Sequence, residues 1–285
     1  MLQLIEPNLY LGCRQAAEDI NVLKNHNITH ILTIEDEPLS EEITKNECFT
    51  TKHIFLYDLQ YNQNLISHLD DTYTFISEGL TKGTVLVHCL MGVSRSASVV
   101  IAFMMKKYHL MYEEAYEKVN RKRRICPNPG FEAQLKLYEK IGYQLDTQHT
   151  SYRLFRLRTA ARQINNHGLL HQDSLDLIIP DPGLAEPKSG HFAYYCSQCS
   201  RILAPKSSCI PHENENEICE KSFFVMPIAW MKHVAKTTKN KLLCPNCSTE
   251  VGSFNWGEDG IQCECSVKIS PAFCLMPPQV KYRSE

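Results

Sequence analysis

The run His88-Cys89-Leu90-Met91-Gly92-Val93-Ser94-Arg95-Ser96 holds a thiol, a glycine and an arginine at a spacing suited to gripping and attacking an oxyanion. Cysteine attacks as its thiolate, so the chemistry needs a positive field around Cys89. A loop from Leu90 to Ser94 that opens a helix supplies one. Unpaired N–H groups and the positive end of the helix dipole point into such a loop, and Gly92 permits tight backbone approach. Arg95 adds a planar fork for two phosphate oxygens, which lysine cannot imitate.

A second constellation lies far downstream. Nine of the thirteen cysteines fall from Cys196 onward, and a reducing compartment turns such a count toward metal ligands rather than disulfides. Cys196-Ser197-Gln198-Cys199 and Cys244-Pro245-Asn246-Cys247 are paired knuckles, and Cys263-Glu264-Cys265 is a third close pair. With His212 and Cys219 they make eight ligands, enough for two closed tetrahedral zinc sites. The preferred division puts Cys196, Cys199, Cys244 and Cys247 in one site and His212, Cys219, Cys263 and Cys265 in the other. Sequential pairing, 196/199/212/219 and 244/247/263/265, is the alternative. Cys209 can stand in for His212, while Cys274 reads as core. No ligand position is left for water, so the zinc is expected to be structural and not needed for a chemical step.

These groups require particular elements beneath them. Thr84 to His88 is apolar enough to be a strand buried on both faces, and it delivers Cys89 to the loop. Leu9 to Leu11, Thr29 to Ile34 and His53 to Leu59 read as further strands. Helices are expected over Ala16 to Lys24, Leu65 to Leu80, Ser96 to Tyr108, Tyr112 to Lys122 and Gly130 to Ile141. That alternation predicts an α/β domain with a mostly parallel central sheet flanked by helices over residues 1–146. Leu154, Leu157, Ala161 and Ile164 fall on one stripe of a helix from Ser151 to Asn166, which reads as a bridge. With the punctuated stretch Pro180 to Gly190 it forms a connection over 147–190, followed by a small β-rich zinc-binding domain over 191–285.

The chain has 285 residues, 43% hydrophobic and 22% charged, which suits two globular domains. The net charge of -2 predicts no general nucleic-acid binding. Residues Met1 to Pro7 lack a basic leader, and Glu6, Arg14 and Asp19 interrupt any apolar span, so the chain reads as neither secreted nor membrane-bound. Arg121-Lys122-Arg123-Arg124 reads as a solvated helix end, with substrate guidance or nuclear import as rival roles. Cys13, Cys48 and Cys126 read as ordinary thiols rather than partners for an oxidised Cys89.

The pattern His-Cys-x-x-Gly-x-x-Arg-Ser at 88–96 is the signature of the protein tyrosine phosphatase superfamily, and the chain resembles its members there. Asn8-Leu9-Tyr10-Leu11-Gly12, Ile28-Thr29-His30 and Pro127-Asn128-Pro129-Gly130-Phe131 with Gln134-Leu135 extend the resemblance to dual-specificity phosphatases over about 1–145. The resemblance implies a phosphatase-like fold, phosphorylated proteins as substrates and a cysteinyl-phosphate intermediate on Cys89. It further implies Ser96 as an aid to thiolate departure and Asp58 as general acid. Asp70 and Asp71 are rivals on a helix whose polar face is more simply solvated. Lys45-Asn46-Glu47-Cys48 lacks the arginine and tyrosine with which tyrosine-only phosphatases deepen their pocket, so phosphoserine and phosphothreonine are expected as well. The C-terminal part is similar to the zinc-binding tail of YVH-type phosphatases through Cys196-x-x-Cys199, Pro227 to Met231, Leu243-Cys244-Pro245-x-Cys247, Gly252 to Trp256, Cys263-x-Cys265 and Ser270 to Phe273. Ser266 departs from the glycine usual there. This resemblance implies association with precursors of the large ribosomal subunit and a location in cytoplasm and nucleus.

Overall fold

A computed structural model describes residues 1–61, 63–170, 172–184, 192–215 and 217–284, and its chain divides into two compact units, Met1–His149 and Thr150–Glu285.

The first unit is built on a five-stranded sheet. Its strands are β1 (Gln3–Glu6), β2 (Leu9–Cys13), β3 (Ile28–Glu35), β4 (Thr50–Phe55) and β5 (Thr84–Cys89), in the order β1-β2-β5-β3-β4. All pairs are parallel except β1 with β2. Every residue of the central strand β5 is buried, as its unbroken apolar run requires. The helices are α1 (Arg14–Ala17), α2 (Ile20–Asn25), α3 (Glu41–Thr44), α4 (Leu69–Lys82), α5 (Arg95–Tyr108), α6 (Tyr112–Asn120) and α7 (Pro129–Lys140). Helix α5 springs directly from the loop after β5 and is buried from Arg95 through Met105.

Three expectations are corrected here. The helix expected over 16–24 is two short helices, because the Asp19 carboxylate accepts from Asn21 N (2.9 Å) and Val22 N (3.1 Å) and starts a new one. The strand expected to run to Leu59 ends at Phe55, opposite the last residue of β3, Glu35. Beyond it no neighbouring strand offers a ladder, so Leu56 to Leu59 form a loop despite their apolar pattern. The short elements β1 and α3 carry too few residues to show a period.

The third correction concerns 147–190. Helix α8 (Thr150–His167) is no bridge: Leu157, Ala160, Ala161 and Ile164 are buried in the core of the second unit with Phe254, Trp256 and Phe273. Arg153 is buried and donates to the carbonyls of Ser207 (3.0 Å), Ser208 (2.8 Å) and Cys209 (3.3 Å). The apolar stripe read from the sequence therefore has its partner in the cysteine-rich part of the chain. Arg201 likewise binds Asp181 (2.7 Å) and the Gly183 carbonyl (2.8 Å). The Pro187-Lys188-Ser189-Gly190 part of the expected linker lies outside the described residues.

The rest of the second unit is β-structure in short pieces. Its strands are β6 (Phe192–Cys196), β7 (Ile202–Pro205), β8 (Glu213–Asn214), β9 (Glu217–Ile218), β10 (Phe223–Phe224) and β11 (Lys239–Leu243). They continue as β12 (Glu250–Asn255), β13 (Ile261–Gln262), β14 (Lys268–Ile269), β15 (Ala272–Leu275) and β16 (Val280–Ser284). They form sheets ordered β16-β6-β7 and β10-β15-β12-β11 and two hairpins, β8-β9 and β13-β14.

Candidate active site and metal centres

Strand β5 ends at Cys89, and α5 begins six residues later, so Leu90 to Ser94 form a loop at a helix N-terminus. Cys89 Sγ accepts from Gly92 N (3.3 Å) and Ser96 Oγ (3.1 Å), two donors that stabilise negative charge on sulfur. Gly92 has φ +69°, and an added Cβ would run into the Gly12 carbonyl, so the loop needs glycine for conformation and for space.

Arg95 is buried and anchored by the end of β3 and the residues just after β3 and β4. Its Nη1 donates to Asp36 Oδ1 (3.2 Å) and the Leu56 carbonyl (3.1 Å), and Glu35 lies 3.9 Å from Nη2. Glu35 in turn is paired with Arg14 at 2.9 Å. Arg95 Nε is buried without a partner among the described residues. An orphaned guanidinium donor beside a thiol and converging N–H groups is what an oxyanion would satisfy.

Asp58 is exposed on the loop after β4, where Ser94 Oγ and Asn128 Nδ2 both donate to its Oδ1 at 2.7 Å. This tie brings it to the residue next to Arg95. Asn128 also receives Phe131 N on its own side-chain oxygen (3.0 Å), capping α7, so the start of that helix and the acid loop share one residue. The rival carboxylates are engaged elsewhere: Asp70 takes Lys106 (2.6 Å), Tyr138 (3.1 Å) and Leu145 N (2.9 Å), and Asp71 pairs with Lys52. Hydrogen bonds from these donors hold the Asp70 carboxyl below the usual range against the opposing effect of burial.

Beneath the loop His88 is fully buried, with Nε2 2.8 Å from Thr33 Oγ1. Burial pushes its pKa down to about 3, so the imidazole is neutral and serves as packing. Leu90 and Met91 are more than half exposed, whereas Val93 is half-buried and Ser94 buried.

Sequence reasoning missed four residues around this loop: Arg123, Asn128, Glu35 and Asp36. Asn128 did stand within a quoted motif, with the Asn-Pro pair that starts a helix. Arg123 was hidden in the basic run. Its Nε and Nη2 bind the Gly92 (2.8 Å) and Met91 (2.9 Å) carbonyls, while its neighbour Arg121 pairs with Glu117.

In the second unit two sets of side chains converge, each with ligand atoms all within 4.8 Å of one another: Cys196, Cys199, Cys244 and Cys247, and His212, Cys219, Cys263 and Cys265. These are the sets of the first pairing, and the sequential grouping does not form. Thiolates about 2.3 Å from a tetrahedral zinc stand about 3.8 Å apart. The observed Sγ–Sγ separations are 3.6 Å for Cys196–Cys247 and for Cys199–Cys244 and 3.7 Å for Cys219–Cys263, with Cys265 Sγ 3.4 Å from His212 Nε2. All are far from a disulfide, and all cysteines are free. Burial lowers the His212 pKa, which favours the neutral imidazole that ligates metal. Both sets could therefore hold a metal ion and fit zinc.

The first two knuckles share one backbone design. Ser200 N bonds to Cys196 O and Ser248 N to Cys244 O, each at 2.9 Å, and both serines have φ +59°. The third is a residue shorter, with Ser266 N on Cys263 O (2.9 Å) and Ser266 at φ +72°. A left-handed residue at that turn accounts for glycine being usual there. Cys209 and Cys274 join neither cluster. Cys274 is buried core, its thiol pushed up to about 12 by burial.

A mostly parallel sheet whose central strand presents a cysteine to a helix N-terminus, with a buried arginine anchored by Asp36 and the Leu56 carbonyl, is the arrangement of a cysteine-dependent phosphatase. The family of the dual specificity phosphatase catalytic domain matches residues 9–141. Similarity runs further: a dual specificity protein phosphatase MPK-4 of Drosophila melanogaster is 32% identical over 97% of this chain and 86% of its own. The mouse dual specificity protein phosphatase 12 is 34% identical over 94% and 85%, and the tyrosine-protein phosphatase yvh1 of Schizosaccharomyces pombe 28% over 98% and 84%. The chain therefore belongs to the dual-specificity protein phosphatases and, within them, to the YVH type. Among the described residues no helix is long and apolar enough to cross a membrane.

Proposed function

We propose that the first unit hydrolyses phosphate monoesters on proteins in two steps, with Cys89 as nucleophile and Asp58 as general acid and then base. Cys89 Sγ attacks phosphorus while the ester oxygen leaves with a proton from Asp58. Both hydrogen bonds to Asp58 arrive at Oδ1, which leaves Oδ2 to carry that proton. Water then attacks the cysteinyl phosphate, giving its proton back to Asp58, and the P–S bond breaks as Ser96 Oγ donates to the departing sulfur. The loop N–H groups and Arg95 Nε hold the phosphoryl oxygens throughout. The pair of donors on Cys89 Sγ is the observation that carries this reading. Cys89→Ser is expected to fold, bind a phosphopeptide and lose turnover; retained turnover rejects the assignment. Lys45-Asn46-Glu47-Cys48 lacks the arginine and tyrosine with which tyrosine-only phosphatases deepen their pocket, and on that resemblance turnover of phosphoserine, phosphothreonine and phosphotyrosine peptides alike is proposed.

The second unit is proposed to bind two structural zinc ions and, on the resemblance of its sequence to YVH-type tails, to associate with large-subunit ribosomal precursors in nucleus and cytoplasm. Elemental analysis of the full chain should give two zinc ions. In gradient sedimentation of lysate, wild type and Cys89→Ser should travel with the precursors and Cys244→Ser/Cys247→Ser should not. One ion per chain, or co-sedimentation of the double mutant, rejects the corresponding half.

A further inference from the structure

Four consecutive carbonyls of the phosphate loop point away from the anion site, each bound by a donor on the outside. Leu90 O accepts from Arg14 N (3.1 Å), Met91 O from Arg123 Nη2 (2.9 Å), Gly92 O from Arg123 Nε (2.8 Å) and Val93 O from Cys126 N (2.9 Å). In a planar trans peptide the C=O and the following N–H point in opposite directions. Fixing these four carbonyls outward therefore fixes the N–H groups of Met91, Gly92, Val93 and Ser94 inward. The hydrogen bond from Gly92 N to Cys89 Sγ is the visible product of this rule at one of the four.

Two of the outer donors are backbone N–H groups that almost any residue would supply. The other two come from one side chain. Nε–H and Nη2–H lie on one edge of a rigid planar guanidinium, spaced to meet two acceptors side by side, and Nη1 makes a third bond to the Met1 carbonyl (3.1 Å). We propose that Arg123 is a positioning residue for the phosphoryl group: its fork orients the peptide planes of the loop so that their N–H groups converge on the transferred phosphate. A lysine keeps the charge but offers one point donor, so it cannot hold two adjacent carbonyls. The inference rests on the phosphatase reading above, and it separates Arg123 from the solvated residues of its basic run.

The test uses the full chain with Arg123→Ala and Arg123→Lys, a series of aryl phosphates of graded leaving-group pKa, and orthovanadate as the oxyanion probe. Both variants should lower kcat by about 10²–10³, the usual cost of a lost oxyanion donor, and weaken vanadate binding by a similar factor. Dependence on the leaving group should stay that of wild type, since proton donation by Asp58 is untouched. Guanidinium ion should restore part of the turnover of Arg123→Ala and none in Cys89→Ser. Wild-type kcat and vanadate affinity in folded Arg123→Lys would overturn the proposal, as would an Arg123→Ala loss that follows the unfolded fraction and resists guanidinium. If wild type itself hydrolyses no aryl phosphate, the phosphatase reading fails and takes this inference with it. If only the Arg123 arm fails, that reading stands.

Discussion

Around Cys89 the chain places its chemistry with a buried, mostly parallel sheet and a helix start, whereas around the eight clustered side chains that could hold metal it uses turns between strands as short as two residues. The first unit holds its loop over a buried sheet and with donors from Arg14, Arg123 and Cys126. In the second, Cys196, Cys244, Cys263 and Cys265 are buried in the same core as Leu203, Phe224 and Val280, while Cys199 and Cys219 pack against it and Cys247 is exposed. Geometry comes from packing in one unit and is expected to come largely from ligation in the other. Perturbing each in turn tests that difference.

Removing metal should have the largest effect. A structural zinc contributes roughly 10–16 kcal/mol to folding of a small site, so a strong chelator should collapse the near-ultraviolet signal of Trp230 and Trp256. Turnover of a small aryl phosphate should stay within a factor of about two, because none of the eight ligands lies in the first unit. A parallel fall in turnover would break the contrast. Asp58→Asn comes next, slowing substrates with poor leaving groups by roughly 10²–10⁴ and activated ones less, with zinc content unchanged. The same pattern from Asp70→Asn would show that the wrong carboxylate is assigned.

A smaller effect follows from His88. Its folded pKa, about 3, lies below the unfolded value of 6.5, so the unfolded chain takes up a proton first as pH falls. Stability from this group is full above about pH 6.5 and drains away as pH falls toward 3, with about 2 kcal/mol gone by pH 5. Denaturant melts at pH 7 and pH 5 should show that slope, and His88→Gln should shrink it. The smallest change is Ser266→Gly, which relieves a left-handed residue and should stabilise the third knuckle by about 1 kcal/mol, read as slower zinc release to a chelator. Faster release would mean that the serine side chain helps to hold the turn.

How much was legible depended on whether the partners are close in sequence. Cys89, Gly92, Arg95 and Ser96 sit in one run, and the knuckles pair within a few residues, so both could be read directly. The division of ligands between the two sites could be stated only as a preference, since ligand types are alike in both pairings. Asp58 was accessible through resemblance, but its ties to Ser94 and Asn128 join three separate segments. Arg123 reaches the loop from the far end of α6, and nothing in a run of four basic residues marks which one turns inward. Helix α8 was misplaced for the opposite reason: its apolar stripe was plain, but a stripe does not name its partner.

The strand order carries one more consequence, for when activity arises. Strand β5 inserts between β2 and β3, which are made long before it, so its pairings close large loops of chain. Such long-range contacts form late and together. A chain still emerging, or one with the sheet open, carries the thiol without the ring of N–H groups that makes it useful. Phosphatase activity is thereby tied to completion of the whole first unit, and its appearance during refolding should lag behind helix formation and coincide with burial of β5.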